Sequence, residues 1–513
     1  MKLIRNLSLA VACIAAAACS LDYEPAGGYS DVTEGVTRDS VKVLFKDKAA
    51  VTAHRQTLLD RYKNGQEHWY LDMLLLAESH SDNAYAGSPN AETTPFEVNS
   101  IEGSNTNLKR DWDGHMTNVG YANRMICGID QVADPTLTAG ERRQYKAEAL
   151  ILRAMVYFDM ARIWGRVPLI TLVADDITAE TIEDVYPVYF PSQSEETEVY
   201  RLIEADLLEA LDGAPDNNPN DKTGLSKSVA RAMLAKLYAE KPLRDYDKVI
   251  LYADALTADG FALVDDFADL FGVALTDPAL PPSQNNRAID ARTRNTRESV
   301  YEAQFFAGNT NWVTWMYGRP LNDWTFYFTW AKWITPSRNL VAAFNAEQGD
   351  KRLAESVAFY ACDWNIYYPA SEYAFMYKCR SAYSSIIKLR YADILMLKAE
   401  ALIHKGSFAA AAAIINQTRR RAGLNDLPAS ASASKEAILD AYLKERRLEL
   451  AFEGERWFDL VRLDKVEEVM NAVYAKDPGR PAQKYPFNTY SCKLPIPQDI
   501  IDQNPNLVQN PGY

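Results

Sequence analysis

Pro495, Pro497, Pro505 and Pro511 punctuate the last twenty residues, Leu494 to Tyr513. Each lacks a main-chain donor and fixes its own φ, so no regular helix or central strand can run through this stretch. The tail is therefore expected to lie extended against a body made by the preceding chain. With 513 residues, 48% hydrophobic and 24% charged, that body can bury a large core in two closely packed lobes.

The other end of the chain sets the compartment. Lys2 and Arg5 precede a short apolar run from Leu7 to Ala18, too short to span a bilayer, and small residues lead to Cys19. This predicts a signal peptide over residues 1–18. Ala16-Ala17-Ala18-Cys19 resembles a bacterial lipobox, which implies that Cys19 becomes the lipidated first residue and that acyl chains hold the body at a membrane surface. Removal of Lys2 and Arg5 leaves a chain still more acidic than the −14 of the whole sequence, which argues against nucleic acid or anionic lipid as a partner. Cys127, Cys362, Cys379 and Cys492 show no CxxC or zinc spacing.

Helical periodicity governs two regions. Leu150, Ile151, Ala154, Phe158 and Ala161 fall on one stripe, started by a capping box of Thr138 with Glu141 and stopped by Gly165. Amphipathic segments at 113–132, 195–212, 225–239 and 245–258 extend the pattern into stacked hairpins. A second region runs from about 388 to 464. There Gly406 and Ser407 read as a C-cap and an N-cap back to back, opening the Ala-rich helix 408–421. Helices over 432–452 and 454–463 come next. No clean 34-residue period is present, so any tetratricopeptide-like repeat is degenerate.

Residues 260–387 differ in character. The stretch carries Pro278, Pro281, Pro282, Pro320, Pro336 and Pro369 and a dense aromatic series from Trp312 to Trp333. Mixed loop, short strand and short helix are expected, and loops on a rigid scaffold are where binding concentrates.

Five blocks and the tail together resemble the SusD/RagB family of outer-membrane lipoproteins. They are Arg110-Asp-Trp112 with Tyr121-Ala-Asn-Arg124, Ala147 to Pro168, Leu389 to Leu402, Arg419 to Leu424, and Glu445 to Arg462. The resemblance implies a mostly α, tetratricopeptide-like scaffold, display on the cell surface, a SusC-like TonB-dependent transporter as partner, and capture of a nutrient, most often a glycan. The chain then divides into a signal peptide (1–18), an N-terminal helical scaffold with binding-side loops (19–259), an irregular aromatic-rich insert (260–387), a C-terminal helical scaffold (388–464) and the extended tail (465–513). Contact residues differ between members of that family, so none carries over by motif.

The residues themselves favour binding over catalysis. Glu445, Glu449 and Glu453 could line one helical face, and two carboxyls suffice for glycoside hydrolysis. The interleaved Arg446, Arg447, Arg456 and Arg462 instead predict ion pairs, which remove the proton donor that hydrolysis needs. No HExxH, GxSxG or phosphate-binding loop occurs, and no cofactor is expected. Glu78, His80 and Asp82 could offer metal ligands if extended, but capping and solvent contact are the expected uses. A flat indole beside amide and carboxylate groups suits the apolar face and hydroxyl fringe of a sugar. Trp312, Trp315, Trp324 and Trp330 are therefore the candidate glycan contacts, with Asp82, Asn83 and Tyr85 as further candidates, whereas Trp112, Trp164 and Trp457 are expected in the core. The leading expectation is a non-catalytic surface glycan-binding lipoprotein. Capture of peptides is the alternative, since helical-repeat grooves accept extended chains, and a glycosidase stands third.

Overall fold

The computed structural model describes residues 43–87, 90–174, 182–271, 293–306, 308–313, 334–362, 366–477 and 479–513. Thr138 opens the longest helix by a reciprocal cap. Its hydroxyl accepts from the Glu141 main chain at 3.2 Å, and the Glu141 carboxylate accepts from the Thr138 main chain at 2.9 Å. Gly165 ends that helix at a φ of +76°, a region open to glycine at little cost.

The longer helices are α1 (Lys48–Asn64), α2 (Thr106–Gly128), α3 (Ala139–Trp164), α4 (Glu196–Gly213), α5 (Lys227–Ala239), α6 (Tyr246–Ala258), α7 (Tyr391–His404), α8 (Phe408–Arg421), α9 (Lys435–Glu449) and α10 (Arg456–Arg462). Helix α3 packs against α2 and α4, α5 against α4 and α6, and α7 against α8 and α9. Helix α6 packs on α7 although residues 259–390 lie between them, so the irregular stretch leaves and rejoins a continuous helical stack. Leu44–Tyr513 forms one unit in place of the two expected lobes. Every residue of α3 from Ala147 to Trp164 is buried, charged ones included. The apolar stripe read from the sequence is thus one side of a helix enclosed all round.

Several boundaries differ from the sequence reading for local reasons. Ile386–Arg390 forms a strand, so α7 starts only at Tyr391. Gly406 does turn the chain at a φ of +78°, but the Ser407 side chain makes no cap. Residues 465–513 are not extended throughout, contrary to expectation: Val466–Lys476 is an α-helix and Thr489–Cys492 a 3-10 turn, and within the last twenty residues a short helix, Gln498–Gln503, fits between Pro497 at its N-cap and Pro505 beyond its end. Asn510 pins the tail by donating from Nδ2 to the carbonyls of Trp164 at 2.8 Å and Leu494 at 2.7 Å.

The described strands make three antiparallel pairs. Strands β1 (Ala84–Tyr85) and β3 (Thr335–Pro336) pair, as do β2 (Ser299–Ala303) with β6 (Ile386–Arg390), and β4 (Val357–Tyr360) with β5 (Tyr373–Met376). The β1–β3 register sets Ala84 opposite Pro336 and Tyr85 opposite Thr335. No helix among the described residues is long and apolar enough to cross a membrane.

Candidate functional site

Four of the candidate residues, Trp312, Asp82, Asn83 and Tyr85, lie at or near the described residues that flank positions 314–333. On the first side, Asn311 is buried and donates from Nδ2 to the carbonyls of Ser381 at 2.8 Å and Ser384 at 3.0 Å. The next residue, Trp312, turns outward and is 47% exposed. Gln66, just beyond α1, clamps this turn: its Oε1 accepts from the Trp312 main chain at 2.8 Å and its Nε2 donates to the Thr310 carbonyl at 3.0 Å. Phe306 is also exposed, with the Arg294 guanidinium 4.3 Å and the Lys63 ammonium 5.4 Å from its ring centroid. A groove of about 650 Å³ next to Phe306 is lined by Asp60, Lys63, Asn220 and Gln304. Trp312 thus offers an exposed indole, a flat apolar face of the kind on which sugar rings stack.

On the second side, Ser337 ties β3 to the turn before β1. Its main chain donates to the Asn83 carbonyl at 2.8 Å and its hydroxyl to the Asp82 carbonyl at 2.7 Å. Asp82 and Asn83 do not form the polar surface loop expected of them. Both are buried, and both are occupied by arginine. Arg456 forks onto Asp82 at 2.7 and 3.0 Å, Arg447 reaches the same carboxylate at 3.1 Å, and Arg447 Nε donates to Asn83 Oδ1 at 2.8 Å. Burial alone would raise the Asp82 carboxyl, but the two guanidinium groups outweigh it and hold the group well below the usual carboxylate range. These contacts fix the backbone that carries strand β1 and its aromatic residue, Tyr85.

Tyr85 is also buried, and its ring stacks on Tyr367 with centroids 4.1 Å apart and planes 5° apart. The Tyr85 hydroxyl donates to Asp477 and accepts from the Arg338 main chain at 3.1 Å. Tyr367 in turn donates to Glu97 at 3.0 Å. Tyr85, Tyr367, Tyr373 and Phe375 make a small aromatic core apart from the main one. Periodicity in the sequence does not point to Tyr367, Arg338 or Asp477, because each arrives from a distant segment.

Trp315, Trp324, Trp330 and Cys19 lie outside the described residues. Trp112, Trp164 and Trp457 are buried as expected. Glu78, His80 and Asp82 sit in a helical run and its closing turn, not on an extended strand, and no described group of His, Cys, Asp and Glu is arranged to hold a metal ion. His80 is buried and bonds through Nδ1 to the Phe96 carbonyl, so it faces protein and not solvent. Burial raises the Glu78 carboxyl to about 7 against donation from Asn83 and the Gly454 main chain.

The glutamates of α9 and its C-terminal turn are each paired inside the scaffold. Glu445 accepts from Arg352 at 2.6 Å, Glu449 from Arg390 at 2.7 Å and Arg352 at 3.2 Å, and Glu453 from Arg390 at 2.6 Å. Burial would raise Glu449, yet Arg421, Arg390 and Arg352 keep it far below its usual range. A carboxylate held ionised this firmly cannot donate a proton to a leaving group.

The stack of helical hairpins defines a mostly α, helical-repeat scaffold. A family model described as "SusD family" matches residues 379–513, and one described as "Starch-binding associating with outer membrane" matches residues 35–239. The chain belongs to the SusD/RagB family. A SusD-like protein of Formosa agariphila is 26% identical, with 96% of this chain and 95% of that protein covered. A SusD superfamily protein of Bacteroides vulgatus shares the fold at a TM-score of 0.72, with 19% identity and 91% and 100% of the two chains covered. A laminarin-binding SusD-like protein superposes at a TM-score of 0.67, with 22% identity and the same coverage.

Proposed function

We propose that the protein is a non-catalytic, lipid-anchored surface protein of the outer membrane that captures a glycan and passes it to a SusC-like TonB-dependent transporter. The observation that carries this reading is the exposed Trp312, clamped by Gln66 at the start of the aromatic stretch whose far end is tied to Tyr85. Because its backbone is clamped, Trp312 has less main-chain freedom to lose on stacking, which suits the weak, flat face of a sugar ring. Trp315, Trp324 and Trp330 are proposed as further contacts on the same stretch. Asp82, Asn83 and Tyr85 are assigned a supporting role instead of a direct contact, because internal partners occupy their polar atoms. Family membership and the laminarin-binding relative favour a glycan over a peptide, and a β-glucan is the first class to test. Ion pairing of Glu445, Glu449 and Glu453 favours binding over hydrolysis.

Affinity electrophoresis and calorimetry against a broad polysaccharide panel test the reading. Retardation by at least one glycan, without release of reducing ends, is the expected result. No glycan binding together with tight binding of a peptide would replace it with peptide capture.

A further inference from the structure

The chain end forms a second aromatic groove. Tyr485, Tyr490 and Tyr513 are 55%, 58% and 42% exposed and line one depression of about 620 Å³, with Asn99, Asn488 and Gln498 along it. It shares no lining residue with the Phe306 groove. Large exposed tyrosines gathered in one concavity are unlike the singly scattered apolar residues of an ordinary surface.

The groove is built from well-tied walls. Lys484 donates from its main chain to the Val98 carbonyl at 2.7 Å, and Gln498 to the Gly103 carbonyl at 2.8 Å. Asn99 donates from Nδ2 to the Tyr485 carbonyl at 3.0 Å and the Ser491 hydroxyl at 3.2 Å. Gly512, at a φ of +101°, brings the last residues back over Tyr490: a Cβ at this position would stand 2.8 Å from Tyr490 Cβ. Only glycine both adopts that turn and admits that approach. The Lys484 ammonium lies 5.3 Å from the Tyr485 ring centroid.

We propose that this groove is a second glycan subsite, which takes a further stretch of the same polysaccharide that the Trp312 face captures; the proposal rests on the glycan-binding reading above. The chemistry separates sugar from peptide here. The exposed apolar surface consists of tyrosine rings and Pro486, while the aliphatic lining residues Ile101 and Ile501 are buried or half-buried and offer little to an aliphatic peptide side chain. Ring faces with phenol and amide groups around them match a pyranose in the same way as the Trp312 face does. Two separated subsites on one rigid body raise the affinity for long chains by making the second contact intramolecular, and leave short oligosaccharides to bind each site alone.

The test compares the full mature chain with Tyr485→Ala/Tyr490→Ala, Tyr485→Phe/Tyr490→Phe and Trp312→Ala. The probes are laminarin and laminarihexaose, or the panel polysaccharide that the wild type binds and its own hexasaccharide. The wild type should take up two hexasaccharides per chain and the alanine pair one, with a loss of at least tenfold in affinity for the polymer. The phenylalanine pair keeps the rings and should stay within about threefold of wild type. Both tyrosines are more than half exposed, so the melting temperature should not move. A lowered melting temperature of the alanine pair would shift the decision to Gly512→Ala, which displaces Tyr490 and should weaken polymer binding alike. One hexasaccharide per wild-type chain, lost in Trp312→Ala and kept in both tyrosine variants, overturns the second subsite and leaves the first. One lost in the tyrosine pair alone overturns the Trp312 face. Binding of no glycan at all overturns both.

Discussion

Arg390 Nη1 donates to Glu449 Oε1 at 2.7 Å with both side chains buried. The same guanidinium reaches Glu298 at 2.7 Å and Glu453 at 2.6 Å, which joins the end of β6, the residue before β2, and the end of α9 with the turn after it in one network. Glu449→Gln removes one negative charge and leaves Arg390, Arg421 and Arg352 undercompensated. The expected cost is about 3–5 kcal/mol of stability, read from denaturant midpoints. A neutral outcome would show that the network does not depend on that charge.

Trp312→Ala should weaken glycan binding by about 2 kcal/mol, near thirtyfold, with melting nearly unchanged. Trp112→Ala serves as the contrasting case. Its side chain is buried, so truncation should cost roughly 3–5 kcal/mol of stability. Measuring melting and binding on the same samples separates the two. Early unfolding of Trp312→Ala, or normal binding by it, would move the recognition surface elsewhere.

His115 gives a pH-dependent signature. Burial lowers it to about 4, with the Asp159 charge opposing and Lys388 adding, and neither ring nitrogen has a hydrogen-bond partner among the described residues. Its folded value lies below the ordinary 6.5, so the unfolded chain takes up a proton that the folded one refuses. Its contribution is present above 6.5 and is lost as pH falls toward 4. His115→Leu abolishes this one loss. The stability of the variant relative to wild type should therefore rise by on the order of 2–3 kcal/mol between pH 6.5 and pH 4. A constant difference across that range would refute the neutral buried imidazole.

Cys19→Ala should release the protein from the membrane fraction of cells lacking the transporter. No described helix could retain it there, and two acyl signals or more are what stable anchoring takes. Fractionation and immunoblotting check this, and unchanged retention would contradict lipidation at Cys19.

Most of the long helices and several of their caps were legible in the order of residues alone, though the Ser407 cap and the Val466–Lys476 helix were not. Thr138 with Glu141, Gly165 and Gly406 are local signals, and local hydrogen bonding fixes what they do. The inward placement of Trp112, Trp164 and Trp457 was legible too, from the helical blocks that resemble the SusD/RagB family. Ion pairing of Glu445, Glu449 and Glu453 showed as a charge pattern, though their partners did not, because Arg352 and Arg390 come from the irregular stretch and its edge. The fate of Asp82, Asn83 and Tyr85 was set by tertiary packing instead. Their polar neighbourhood in sequence reads as a surface loop, yet Arg447 and Arg456, 365 and 374 positions away, fold over Asp82. The same packing brings Tyr485, Tyr490 and Tyr513 into one groove. Contacts of that kind arise between distant segments, and neither period nor spacing carries any trace of them.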